Sequence, residues 1–137
     1  MIVMVNGCFD ILHRGHVEHL THASYMGSKL IVALTNDAFV NKGPGRPINT
    51  WADRAYVLLA LRVVDDVIAT NNAMDAIRLL KPTYFVKGVD YASGGAWTED
   101  VEKACRETGT IIRFTGTLKR SATDTIRKAL ECASLPS

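Results

Sequence analysis

The chain has little cysteine, and what it has is scattered. Cys8, Cys105 and Cys132 are odd in number, far apart and form no C-x-x-C. That spacing argues against both a disulfide framework and a zinc site, and reduced thiols are expected. No long apolar run occurs, and the first apolar stretch is reached without a basic leader, so neither a membrane span nor a secretory signal is expected and a cytoplasmic location is. Charge of one sign is also scarce. Sixteen Lys and Arg against fourteen Asp and Glu give a formal net charge of +2, and the cations are spread along the chain, so no nucleic-acid partner is expected. The chain has no G-x-x-x-x-G-K-[ST], nor any G-x-G-x-x-G at its first turn, which removes the two commonest phosphate loops. Low-complexity tracts and long linkers are absent too. With 137 residues, 47% of them hydrophobic and 22% charged, the expectation is one folded domain over residues 1–137 with a real core.

What is present is alternation. Ile2 to Val5, Leu30 to Leu34, Asp66 to Ala69, Tyr84 to Val86 and Thr110 to Phe114 are short apolar or β-branched runs that read as strands. Helical periodicity fills the intervals at Val17 to Met26, Trp51 to Arg62, Met74 to Leu80, Thr98 to Glu107 and Thr123 to Leu130. Such a pattern predicts a parallel sheet with crossover helices. Two irregular stretches, Asn41 to Asn49 and Asp90 to Ala96, follow strands on the side where open parallel sheets bind ligands, and are candidate lids.

The densest chemistry is N-G-C-F-D-I-L-H-R-G-H, residues 6 to 16, directly after the first strand. With the first helix beginning near Gly15 or His16, its unpaired backbone N–H groups and its dipole favour an anion in this turn. Gly7 and Gly15 lack Cβ atoms, which lets the backbone turn tightly and approach a ligand. His13 and His16 flank Arg14-Gly15 and can both aim N–H donors at one phosphate chain, since imidazole donates whether neutral or charged.

Gly7 to His16, G-C-F-D-I-L-H-R-G-H, resembles the H-x-G-H signature of the cytidylyltransferase-like nucleotidyltransferases, and lies where that family has it. The resemblance continues. Thr35-Asn36-Asp37 is similar to the family's S-D or N-D, Lys42 and Arg46 fall in its basic loop, and Arg54 matches the arginine of its E-x-R or D-R element. Val86-Lys87-Gly88-Val89-Asp90-Tyr91 resembles the V-K-G-x-D-Y of the adenylyltransferase domain of ADP-heptose synthases. Ser121-Ala122-Thr123 stands where the family has S-T-T, with one hydroxyl missing.

The fold this implies is α/β, a Rossmann-like doubly wound five-stranded parallel sheet, with the site where the first and fourth strands diverge. The implied reaction moves a nucleotidyl group from ATP or CTP to a phosphorylated sugar or alcohol and releases pyrophosphate. A phosphate oxygen is already a nucleophile at neutral pH, so alignment and charge neutralisation are required rather than a general base. On this reading His16, His13 and Lys42 are catalytic. Gly7, Cys8, Phe9, Asp10, Gly15, Lys87, Gly88, Asp90, Ser121 and Thr123 contact the nucleotide, and Arg46, Arg54, Lys119 and Arg120 hold substrate phosphate. Asp10 orients the turn by hydrogen bonding. Magnesium travels on the nucleotide, with no dedicated metal site, and a homodimer is implied. A chain of this size leaves no room for a fused sugar kinase. The K-G-x-D-Y segment favours ATP and heptose 1-phosphate over CTP and glycerol 3-phosphate; a regulatory module that binds nucleotide without turnover is the non-enzymatic alternative.

Several of these residues have plainer readings. His19 and His22 extend the three-residue histidine spacing, but Val17, Leu20 and Ser24 read as the inward stripe, which puts the two histidines toward solvent or a subunit contact. Arg54 divides between a phosphate contact and a surface ion pair. Thr50 to Asp53 and Ser121 to Asp124 read as capping boxes, the second also an anion site. Cys8 reads as a small buried residue.

Overall fold

The computed structural model describes residues 1–88 and 99–115. Strands β1 (Ile2–Gly7), β2 (Lys29–Thr35), β3 (Asp66–Thr70), β4 (Tyr84–Gly88) and β5 (Ile111–Thr115) form one sheet in the order β3-β2-β1-β4-β5. Every neighbouring pair is parallel. Between the strands lie α1 (Arg14–Ser24), α2 (Trp51–Leu59), α3 (Ala73–Leu80) and α4 (Glu99–Thr108). All nine of these elements were anticipated from apolar runs and periodicity, with ends shifted by a few residues. A short 3-10 turn at Asp37–Phe39 was not. The expected last helix lies outside the described residues.

The central strands are apolar at consecutive positions because helices cover both faces of the sheet. Odd positions of β1 (Val3, Val5) and even positions of β2 (Leu30, Val32, Leu34) pack with Leu20 of α1 and Ala55 and Leu58 of α2. Met4, Ala33 and Phe85 point the other way, onto Ala73, Ala76 and Ile77 of α3 and Val101 and Ala104 of α4. This is the period-2 alternation of a strand, and each large side chain so buried contributes about 1.5–3 kcal/mol. Helix starts are capped locally: Thr50 Oγ1 accepts the Asp53 N–H at 3.3 Å, and Asn72 Oδ1 accepts the Asp75 N–H at 2.9 Å. Lys81, with φ 48°, closes α3 in the left-handed region.

The chain leaves β1 toward β2 and later returns to β4 on the other side of β1. The carboxyl ends of β1 and β4 therefore border the crevice where open α/β sheets take their ligands. No helix among the described residues is long and apolar enough to cross a membrane.

The expected inward stripe of α1 is corrected. Leu20 and Ala23 are buried, but Val17 is 37% exposed, and the inward row is His16, His19, Leu20, Ala23. The cap at the start of the helix sets its rotation by turning His16 in, and the i, i+3, i+4, i+7 spacing then carries His19 in with it. Its ring nitrogen Nδ1 lies 2.6 Å from Thr115 Oγ1 at the end of β5. His19 thus faces the sheet rather than solvent or a subunit.

Candidate active site

The turn after β1 is built by its two histidines. His13 is the N-cap of α1, and its Nδ1 accepts the Gly15 N–H at 3.0 Å. His16 reaches back, its Nδ1 accepting the His13 N–H at 3.3 Å. This is a reciprocal capping box with imidazoles in place of the usual hydroxyl and carboxylate. Each Nδ1 is occupied as an acceptor, so each neutral ring carries its proton on Nε2, and both Nε2–H groups are donors. The rings stack with centroids 3.9 Å apart and planes 22° from parallel. Burial, followed by the neighbouring charges of His13, Lys42 and His19, lowers the His16 pKa to about 4. At neutral pH His16 is therefore a neutral donor, and an arriving phosphate would raise its pKa.

Phe9 fixes the other side of the His16 ring, meeting it edge-on at a centroid distance of 5.3 Å. Its backbone has φ 46°, uncommon for a residue with a bulky side chain. Gly7 is explained by this ring. A Cβ at Gly7 would sit 2.8 Å from Phe9 Cε2, so the missing side chain makes room for the Phe9 ring. Gly15 is buried at the first turn of α1, where its N–H completes the cap.

Asp10 is 3% exposed. Its Oδ2 accepts Arg46 Nε at 2.6 Å and the Ile48 N–H at 2.8 Å, and its Oδ1 accepts the Asn49 N–H at 2.9 Å. Burial works to raise its pKa, but the Asn49 and Ile48 N–H groups and the Arg46 guanidinium outweigh it and hold the carboxyl below its ordinary value. Both oxygens are engaged by the 46–49 segment, so Asp10 ties the turn to this loop.

Arg54 is a second correction. Rather than facing a substrate phosphate, its fully buried side chain donates Nε to Asn49 O, Nη1 to Cys8 O and Nη2 to Asp37 Oδ1, at 3.1, 2.7 and 2.5 Å. It rivets the turn after β1 to the loop and to the 3-10 turn. Asn49 joins both anchors, since its Nδ2 also donates to Asp10 O at 2.7 Å. No sequence signal marked Asn49, because its partners lie 39 positions before it and 5 after it.

Arg46 is different. Its side chain is 8% exposed and its Nε belongs to Asp10, while its Nη2 is buried with no hydrogen-bond partner among the described residues. An unsatisfied buried guanidinium nitrogen is costly, and a phosphate oxygen is its natural partner. Lys42 stands exposed on the same loop, close enough that its charge lowers the pKa of His16. Gly43 and Gly45 carry φ 98° and 77°, left-handed conformations that let the loop bend over the turn.

Across the crevice, Lys87 of β4 is 8% exposed, with Nζ 5.1 Å from the Phe85 ring centroid. Burial lowers its pKa to about 8, opposed by the neighbouring Cys8 thiol. Cys8 itself is half-buried rather than buried. Gly88 ends β4 beside Thr115 of β5. The structure thus brings together His13, His16, Lys42 and Arg46 around the turn that contains Cys8, with Lys87 and Gly88 at the end of β4. Asp90, Tyr91, Lys119, Arg120, Ser121, Ala122 and Thr123 lie outside the described residues. Among the described residues, no three His, Cys, Asp or Glu side chains gather where they could hold a metal ion.

A doubly wound sheet whose first turn presents two imidazole donors, beside a basic loop at the switch point, defines a nucleotide-binding α/β protein. The sequence model of the cytidylyltransferase-like family matches residues 4–128, and the chain belongs to that family of nucleotidyltransferases. It is 43% identical over 129 residues to the bifunctional protein HldE of Pseudomonas entomophila, and 44% identical over 109 residues to that of Nitratiruptor. These alignments take in 91% and 77% of this chain but 27% and 24% of the relatives, so the chain spans about a quarter of their length. Among solved structures it is similar to the lipopolysaccharide core biosynthesis protein of Thermoplasma volcanium, with TM-score 0.71 and 25% identity over 88% of this chain and 98% of that one. The fold, without close sequence likeness, also occurs in the bifunctional NMN adenylyltransferase/ADP ribose pyrophosphatase of Francisella tularensis. There the TM-score is 0.63 and the identity 14%, over 99% of this chain and 42% of that one.

Proposed function

We propose that this chain transfers the adenylyl group of ATP to a sugar 1-phosphate of the heptose class and releases pyrophosphate. The observation that carries the reading is the reciprocal His13–His16 cap, which commits both Nε2–H groups to donation at the amino end of α1. Likeness to HldE over 91% of this chain supports the heptose branch.

The acceptor brings its own nucleophile, a phosphate oxygen, so the residues align and neutralise. His16, neutral in the free protein, donates to the α-phosphate where charge grows, and His13 donates beside it. Arg46 Nη2 and Lys42 take the outer phosphates, and closure of the loop around Gly43 and Gly45 excludes water. Asp10 and Arg54 act through the loop they hold. Lys87, Gly88 and Cys8 border the nucleotide, with Asp90, Ser121 and Thr123 beside them on the sequence reading, and Lys119 and Arg120 add positive charge. Magnesium carried on the triphosphate would further neutralise its oxygens. Residues 1–137 act as one catalytic unit, in a cytoplasmic homodimer.

The test is a pyrophosphate-release matrix with ATP and CTP against heptose 1-phosphate, glycerol 3-phosphate and other phosphorylated acceptors. Turnover with ATP and heptose 1-phosphate is expected. A preference for CTP and glycerol 3-phosphate would move the chain to that branch, and tight nucleotide binding with no pyrophosphate release would make it a regulatory module.

A further inference from the structure

A cavity of about 220 Å³ opens at the carboxyl ends of β2 and β3, on the same edge of the sheet as the histidine turn but outside it. Its polar wall is Asn36, which follows β2, with Thr70 and Asn71 at the end of β3 and Asp75 in the first turn of α3. Ala69 and Leu79 supply apolar surface. Among the described residues, no Lys, Arg or His lines it. The cations beside the turn, Lys42 and Arg46, are thus segregated from a neutral and weakly acidic hollow. Such a lining suits hydroxyl groups and the apolar face of a carbohydrate ring, and it repels phosphate.

The hydrogen bonding agrees. Asn36 Nδ2 donates to Asn71 Oδ1 at 2.7 Å, which leaves Asn36 Oδ1 as an acceptor and the Asn71 Nδ2–H2 as a donor for a bound molecule. Asp75 Oδ2 accepts from Asn72 Nδ2 at 3.1 Å, and its Oδ1 remains for a hydroxyl. Complete small-molecule pockets occupy about 300–1,000 Å³, so this one suits part of a ligand. Two strand spacings, about 10 Å, separate the exits of β1 and β3, a gap that one phosphorylated monosaccharide spans. Asn36 is also coupled to the turn. Its neighbour Asp37 is held by Arg54, which holds Cys8 O.

We propose that this cavity is the specificity subsite for the uncharged end of the acceptor, with sugar hydroxyls on Asn36, Asn71 and Asp75 while the acceptor's phosphate stays at the turn. The assignment deepens the proposed function and rests on its acceptor being a sugar phosphate.

Two measurements test it. Ala69→Leu, at an exposed position of β3, fills the hollow without touching the core, and Asp75→Asn removes its carboxylate while keeping side-chain shape. Each should raise the KM for heptose 1-phosphate about tenfold, the worth of roughly one hydrogen-bonding group, and leave the KM for ATP and the thermal midpoint unchanged. In the wild-type protein, heptose 1-phosphate should shift the side-chain amide NMR signals of Asn36 and Asn71, whereas inorganic phosphate should shift only the turn. Normal acceptor KM in both variants with unmoved Asn36 and Asn71 signals would overturn the subsite while leaving the proposed reaction standing. Shifted signals in a protein that releases no pyrophosphate would uphold the sugar site and sink the reaction.

Discussion

At the scale of single residues, His16 is the centre of the proposed chemistry. Two features hold its ring, the His13 N–H on Nδ1 and the edge of Phe9, and both direct Nε2 outward as a donor. Removing one well-aimed donor of this kind costs about 3–4 kcal/mol of transition-state stabilisation. His16→Ala should therefore lose at least about a hundredfold in kcat with its circular dichroism unchanged; near-normal turnover would remove His16 from the mechanism. The imidazole should titrate near pKa 4 in the free protein and move upward with ATP, visible in the Cε1–H NMR shift. A titration that ATP leaves unmoved would mean that no phosphate reaches the ring. Gly7→Ala is a more local probe. Its new Cβ would meet Phe9 at 2.8 Å, and overpacking of this sort costs about 1–3 kcal/mol. Melting should fall and kcat with it, as the ring supporting His16 is displaced. The two histidines were legible in the sequence because their spacing about a glycine at a strand-to-helix turn has a direct chemical meaning. The tautomer was not, because it depends on where two backbone N–H groups point.

At the scale of elements, the loop between β2 and α2 is a fastened arm rather than a loose lid. Asp10 holds it at Arg46, Ile48 and Asn49, and Arg54 holds it again at Asn49. Its tip, residues 41–45, stays in solvent, and Ile48 and Asn49 are exposed as well. Asp10→Asn weakens the Arg46 pairing, so trypsin should cut after Lys42 faster than in the wild type, with a higher KM for ATP. Equal cleavage rates would show that the arm is held by other contacts. Arg54→Leu leaves the Cys8 and Asn49 carbonyls without their donor, for a loss of about 2–4 kcal/mol read from the urea midpoint. These links were not legible. The sequence shows a basic residue in a family position but not its burial, and a guanidinium that bonds residues 17 and 46 positions away is indistinguishable there from one that meets phosphate. The rotation of α1 eluded the apolar pattern for a similar reason, since Val17, Leu20 and Ala23 fit two adjacent stripes and only the cap chooses between them.

For the whole molecule, pH ties the site to stability. His16 and His19 both have folded pKa values of about 4 against an ordinary 6.5; burial leads in each case, with Lys87 and His22 adding to it at His19. As pH falls below 6.5 the unfolded chain takes up these protons first, so stability declines from about pH 6.5 to about pH 4 and these two groups contribute no further loss below that. Each histidine adds at most about 1.4 kcal/mol per pH unit to the slope. Asp10, whose folded pKa is lowered, extends the loss to still lower pH. Urea midpoints across this range should flatten in His19→Asn. A wild-type midpoint that stays level between pH 6.5 and 4 would show that these rings ionise as freely folded as unfolded.

The sequence by itself determined the parallel α/β architecture and the placing of a two-histidine turn after the first strand. Both depend on short-range pattern: apolar runs too short for helices, periodic stretches between them, and two imidazoles one turn apart. Only the tertiary structure decided that Arg54 braces, that His19 faces the sheet, that Arg46 keeps one donor in reserve, and that a hollow without cations opens beside the turn. Those outcomes depend on which side chains meet when β1, β2 and β3 lie side by side, and burial and hydrogen-bond partners at such distances along the chain are properties of the packed molecule.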